Sequence, residues 1–271
     1  GVQPAFAITQ IKHTSITFGN TLYVGGTGEG NYTKIQYAIN NASDGDTIFV
    51  YDESSPYEEN IRIKKSINMI GEDKETTIID GGGIGDVIYL SVSADYVNIS
   101  GFTIRNSGHN GSYYWDAGID LRSCYCNIYS NIISKNRNGI WIDSMVNAIK
   151  DNTIANNDFG IYLSYDIIPT SPPLFADIPS LFNRINGNSI SNNDYGLYLD
   201  TSSFNRIIKN NFIDNEEDAF FTRSFFNRWK QNYWNGSRVF PKLIFGYMED
   251  FTYPWFNIDW RPAKEPYDIG V

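Results

Sequence analysis

At 271 residues the chain is long enough for one extended core, and its net charge of −10, with nothing basic clustered along it, repels phosphate backbones, which excludes nucleic acid as a partner. Only 19% of residues are charged while 15% are aromatic, a composition that fits an extracellular setting, and no apolar run approaches the length of a membrane span. The two cysteines, Cys124 and Cys126, and the two histidines, His13 and His109, are too scattered for a zinc cluster.

Taken in chain order, residues 1–20 form an alternating apolar arm strand. The chain starts at Gly1 without Met, compatible with removal of a signal peptide or with a cloned segment. The stretch 33–42, TKIQYAINNA, predicts a helix that Thr33 caps, with Ile35, Ala38, Ile39 and Ala42 on one apolar face. Such a helix can close the first turn of whatever follows. Cys124 and Cys126 fall two apart on one strand face, about 7 Å between Cα atoms, too far for a relaxed disulfide. Free thiols are expected.

From Cys126 to Trp234 a pattern N-x-(I/F/W)-x-x-N-x-(I/F/W) recurs: Asn147 to Ile154, Asn183 to Ile190, Asn205 to Phe212, and Asn227 to Trp234, with an earlier copy from Cys126 to Ile133. Its last apolar position falls at 133, 154, 190, 212 and 234, so the step is 21 or 22 residues, with one insertion. Self-similarity at a fixed period means a solenoid. Ahead of the blocks stand alternating triplets, Ile119-Asp120-Leu121, Ile140-Trp141-Ile142, Ile161-Tyr162-Leu163 and Leu197-Tyr198-Leu199. Period 2 makes them strands with their apolar side chains inward. The fold class is therefore all-β, a three-sided parallel β-helix over 21–236. Asn suits left-handed corners between strands and can stack into hydrogen-bonded ladders. Insertions at 109–117 and 166–182 interrupt the coil. Residues 237–271, dense in aromatics and proline, form a C-terminal cap.

The run IQYAINNASDGDTIFV, then IRIKKSINMIGE, TTIIDGGG and NISGFTIRNSG, and the ending NYWNG, PKLIFG and FNIDWRPAKEPYD, closely resemble the secreted right-handed parallel β-helix proteins of archaea, over about residues 21–268. These are labelled copper-binding NosD-like, or carbohydrate-binding and sugar-hydrolase domains. The resemblance implies a pectate-lyase-like fold and export, and little about activity, since one fold hosts many functions. Copper needs His, Met or Cys ligands that converge, and Met69, Met145 and Met248 form no motif with the histidines.

Alternation sends Tyr89, Asp120, Trp141, Tyr162, Tyr198 and Phe221 outward on successive turns, an aromatic column about 24 Å long. Together with Trp115 in the first insertion, these aromatics are candidate binding residues for sugar rings or for another copy of the chain. Beside them, Asp120 and Asp143 fall about 8 Å apart, a spacing open to an inverting glycosidase. With Asp200 they are candidate Ca²⁺ ligands, and Arg122 is a candidate lyase base. No other cofactor is indicated. Asp120 and Arg122 equally make a surface ion pair. Sequons at Asn31, Asn41, Asn98, Asn110 and Asn235 suggest glycosylation. Two functions remain open. One is a non-enzymatic secreted or cell-surface building block that assembles with copies of itself through its arm, aromatic face and caps into a filament, sheath or layer. The other is a protein that binds or cleaves a polysaccharide along the solenoid face. The lack of a complete catalytic set favours the first.

Overall fold

The computed structural model describes residues 19–109, 116–164, 180–236, 240–249 and 252–269. The arm, apart from Gly19 and Asn20, and most of both insertions lie outside them.

Three parallel sheets run the length of the chain. The first contains nine strands, from Thr21–Val24 and Thr47–Val50 to Arg184–Asn186, Arg206–Ile208 and Arg228–Lys230. The second contains eight, from Tyr57–Glu58 to Tyr233–Trp234, and the third nine, from Ile61–Ile63 through Ala117–Leu121 to Lys242–Tyr247 and Pro254–Asp259. Each turn of chain visits the sheets in rotation, which makes a three-sided parallel β-helix. The registers place like residues over like. Ile128, Ile149, Ile185, Ile207 and Trp229 form one inward row, and Ile133, Ile154, Ile190, Phe212 and Trp234 another. All are at most 5% exposed. Stacked β-branched side chains suit this pleated core, and at its end Phe212 and Trp234 stack at 4.5 Å.

The corners explain the asparagines. Asn131, Asn152, Asn188, Asn210 and Asn232 are buried one above another. From Asn152 onward each Oδ1 accepts from the backbone N–H of the Asn one turn earlier, at 3.0–3.1 Å, and Asn131 Oδ1 accepts from the N–H of Phe102 at 3.1 Å. From Asn152 onward each Nδ2 donates back to an isoleucine carbonyl of that earlier turn. Two more ladders run at the other corners, Asn147–Asn183–Asn205–Asn227 and Asn136–Asn157–Asn193–Asn215. Corner backbone that would be orphaned inside the coil is thereby satisfied. The ladder asparagines themselves do not take the left-handed conformation. That falls one residue earlier, on Ser130, Asp151, Lys209 and Gln231, on Phe182, Phe204 and Phe226, and, as expected of Asn, on Asn156 and Asn192. The turn needs its kink before the side chain that plugs it.

The ends differ from expectation in detail. The helix spans Ile35–Asn41 and buries Ile35, Ala38 and Ile39, but Thr33 does not cap it. Glu59 does, its two oxygens accepting from the N–H groups of Ile35 and Gln36 at 2.8 and 3.0 Å. A tertiary carboxylate meets the helix N-terminus where no local side chain turns toward it. Cys124 and Cys126 are free thiols, but they sit in a corner around Tyr125, whose φ is 60°, and not on one strand face. Cys126 takes a ladder position, its N–H donating to Asn147 Oδ1 at 2.8 Å. The C-terminal cap adds a hairpin to the third sheet, parallel at Lys242–Tyr247 and antiparallel at Pro254–Asp259. Buried Asp259 ends the central ladder, accepting from the N–H of Asn232 at 2.9 Å and from Trp234 Nε1 at 3.3 Å.

Candidate functional site

The outward column of the third sheet forms as predicted through Tyr89, Asp120, Trp141, Tyr162 and Tyr198, with Arg62 ahead of it. Its next member is Phe220, not Phe221. The register sets Tyr198 against Phe220 and Leu199 against Phe221, so Phe221 turns inward and is 0% exposed. Nor is the column an open aromatic stripe. Trp141 is 0% and Asp120 2% exposed, while Tyr89, Tyr162 and Tyr198 are half-buried. The rings are used up locally. The Arg122 guanidinium lies 4.6 Å from the Trp141 centroid and 5.9 Å from that of Tyr89, and Arg62 covers Tyr89 at 5.0 Å. Trp141 Nε1 donates to Ser164 Oγ. Tyr162 and Tyr198 meet edge to face at 5.1 Å, flanked by Phe159 and Tyr195.

The carboxylates are equally engaged. Arg122 Nε donates to both oxygens of Asp120 at 3.1 Å. Burial pushes the Asp120 carboxyl up to about 8 against the pull of Arg122, with Asp86 and Asp143 adding to the rise. Burial likewise pushes Asp86 to about 6, despite the Ala117 N–H it accepts at 2.9 Å. Although burial opposes its charge, Asp120 and Asp143 hold Arg122 above its ordinary range, which is the opposite of what a base requires. Asp143, half-buried, lies one turn on from Arg122 and adds to its charge stabilisation. Asp200 lies two turns beyond, taken by Arg223 Nη2 at 2.8 Å and Thr222 Oγ1 at 2.9 Å. Asp120, Asp143 and Asp200 therefore share no Ca²⁺ cage, and among the described residues no three His, Cys, Asp or Glu side chains converge. Asp120 is 2% exposed, and the cluster anchors Arg122 on Trp141.

Trp115 and Asn110 lie outside the described residues. Asn41 and Asn235 are exposed. Asn31 donates to the Gly25 carbonyl at 2.7 Å. The Asn98 amide is spent in an outer ladder between Asn68 and Asn127, at 2.7 Å on each side, which opposes a glycan there.

A second face is one that sequence reasoning missed. On the first sheet the triplets Phe182-Asn183-Arg184, Phe204-Asn205-Arg206 and Phe226-Asn227-Arg228 occupy three successive turns. In each, Asn plugs the corner, Phe stands exposed at positive φ, and Arg points outward from the strand start. The phenyl rings stack at 5.7 and 5.1 Å. Arg184, Arg206 and Arg228 are in direct register. No carboxylate lies within ion-pair distance of any of them among the described residues. Lys150 lies one turn earlier and Lys230 on the last. Two recesses sit on this face, about 310 Å³ beside Lys150 and Arg184, and about 540 Å³ between Phe226, Arg228, Lys230, Trp260 and Arg261. The expectation that nothing basic clusters is thus corrected. The signal in the sequence is F-N-R recurring once in each of these turns, hidden because Asn draws attention as the repeat's marker.

A family model described as periplasmic copper-binding protein (NosD) matches residues 39–168 and 179–240. No curated protein matches the chain. Among solved structures, the chain is similar to pectate lyase Pel9A, at 15% identity, covering 83% of this chain and 66% of that one with a TM-score of 0.55. It is also similar to ORF18 of Geobacillus virus E2, at 16% identity, covering 75% and 46% with a TM-score of 0.55. The chain spans less than two thirds of either, and at such identity the likeness is one of fold. Copper finds no fitting donor set among the described residues. Met69 is 0% exposed in the core, Cys126 Sγ is buried against Ser123 Oγ at 3.2 Å, and His109 faces Asp158 at 3.7 Å.

Proposed function

The chain belongs to the NosD family, and on that footing we propose that it is an exported, non-enzymatic β-helix that assembles with copies of itself through the aromatic end of its coil. The observation that carries this reading is the C-terminal hairpin. Phe245, Phe256, Trp255 and Tyr253 are 45–62% exposed on it and Phe240 beside it is 79% exposed, with Phe245 directly opposite Phe256. Five large rings about half exposed present roughly 500 Å² of apolar surface, at the upper range for a lone soluble protein. The strand Pro254–Asp259 also ends its sheet, leaving an outer edge open to pairing. Docked head to tail on the opposite end of another copy, this end makes a heterologous contact that builds filaments.

The enzymatic alternative has less support, since Asp120, the carboxyl most suited to act as an acid, is 2% exposed and Arg122 is held charged. Light scattering on the full chain tests assembly. The expected result is polymers that Trp255→Ser with Phe245→Ser reduces to monomers. Deleting residues 1–18 reports separately on the arm. A wild-type monomer at all concentrations would sink the reading.

A further inference from the structure

The Phe-Asn-Arg face carries two costs at the same residues. Like charges directly opposite on neighbouring strands destabilise a sheet, and Arg184, Arg206 and Arg228 are stacked that way. Phe182, Phe204 and Phe226 hold φ of 57–58°, a conformation that costs a non-glycine residue on the order of 1 kcal/mol, while leaving 46–76% of each side chain in water. The kink itself recurs at other corners of the coil and the rings gain their contacts with one another, but the stacked arginines give folding nothing, so a ligand is the reason to look for.

We infer that this face is a binding site for a linear acidic polysaccharide, one carrying a carboxylate or sulfate at regular intervals. The argument is one of matching periods. A surface that repeats the same Phe and Arg pair every turn, about 4.8 Å apart, is complementary to a ligand whose charge also repeats along a line. Arginine is the residue suited to such groups, because its planar fork pairs with carboxylate or sulfate oxygens two at a time. The phenyl spine stands beside the arginine row. Near-parallel rings 5–6 Å apart cannot lie side by side in one plane without clashing, so they overlap like shingles and wall off water along one flank. That wall strengthens each ion pair by lowering the local dielectric. Along the row it leaves nucleic-acid bases no free ring face between neighbouring phenyls on which to stack. Net charge points the same way, since a chain of −10 draws a polyanion only to a local basic strip.

At the last turn no further ring among the described residues stacks on Phe226, which is the most exposed of the three at 76%. Across the 540 Å³ recess stands Trp260, 70% exposed, with Arg228, Lys230 and Arg261 around it. This volume suits one or two sugar residues in the usual range for small-ligand sites. There a sugar ring can lie between two aromatic faces with its acid group on the cations, so this end anchors the chain and the arginine row guides the rest.

The test is affinity electrophoresis and calorimetry of the full chain with polygalacturonate and chondroitin sulfate as probes, and neutral dextran, duplex DNA and anionic phospholipid vesicles as comparators. The monomeric Trp255→Ser, Phe245→Ser background separates this binding from assembly. The expected result is binding to at least one acidic polysaccharide and not to dextran, weakening as salt rises, and lost by roughly tenfold or more in Arg184→Gln, Arg206→Gln, Arg228→Gln. All three positions are exposed, and circular dichroism melts check that the fold is retained. Phe226→Ser should weaken binding less. Unchanged binding in the triple variant, or binding to DNA or vesicles alone, overturns the proposal.

Discussion

The outer faces of the third and first sheets carry similar residues, aromatics beside charges, and treat them in opposite ways. On the third, Asp120, Arg122, Trp141 and Tyr89 close on one another, so that Asp120 and Trp141 are fully buried. On the first, Phe182, Phe204 and Phe226 stack only with each other, and Arg184, Arg206 and Arg228 lack carboxylate partners among the described residues. A group that is satisfied at home stabilises the fold, whereas one left unsatisfied at a cost is available to something else.

The sharpest way to break this contrast is to remove one arginine from each face. Arg122→Ala should destabilise the chain by about 3 kcal/mol, because it strands buried Asp120 and uncovers Trp141. Arg206→Ala should stay within about 0.5 kcal/mol of wild type, since it removes an exposed charge and some repulsion. Chemical denaturation measures both. Equal costs would erase the distinction between the faces.

Next comes pH. Asp120 and Asp86 have folded values near 8 and 6, both above an ordinary carboxyl. Between about pH 4 and pH 8 the folded chain therefore binds more protons than the unfolded one, and stability falls as pH rises through that window. Asp120→Asn keeps the shape without the charge. It should flatten the slope, most visibly between pH 6 and 8, and raise the melting temperature at pH 8 by several degrees. A wild-type melting temperature that climbs from pH 5 to pH 8 would show that Arg122 keeps Asp120 ionised throughout.

What could be read in advance follows from what repeats. The near-constant step of the coil, the isoleucine rows and the asparagine ladders were legible, because stacking forces like over like and a ladder needs the same side chain on every turn. The solenoid's two sides were legible too, except after Tyr198, where the step is 22 residues to Phe220 and not the 23 that would set Phe221 outward. Alternation says which side chains leave the core, but not what covers them afterward. Burial of Trp141 depends on Arg122, two residues along and one turn back, a tertiary fact. The helix cap at Glu59, 24 residues from its partner, is hidden for the same reason. The basic strip is hidden because its arginines stand a full turn of coil apart in an acidic chain, and only the coil brings them together.

The smallest effect tests whether the exposed corner is held for a ligand. Val146 occupies the same corner column as the phenylalanines, at φ 62° and 38% exposed. It bears the same strain with a β-branched side chain, without a ring and one turn before the Phe-Asn-Arg rows. Val146→Asn should raise stability by about 1 kcal/mol, since Asn tolerates this backbone, and leave polysaccharide binding unchanged. Phe204→Asn relieves the same strain but loses a stacking neighbour on each side, worth roughly 0.5–1.5 kcal/mol per pair, so its net gain should be near zero while binding weakens. Paired thermal melts and binding titrations separate the two positions. If Phe204→Asn binds as tightly as wild type, the phenyl spine is a by-product of corner geometry and the arginines act alone.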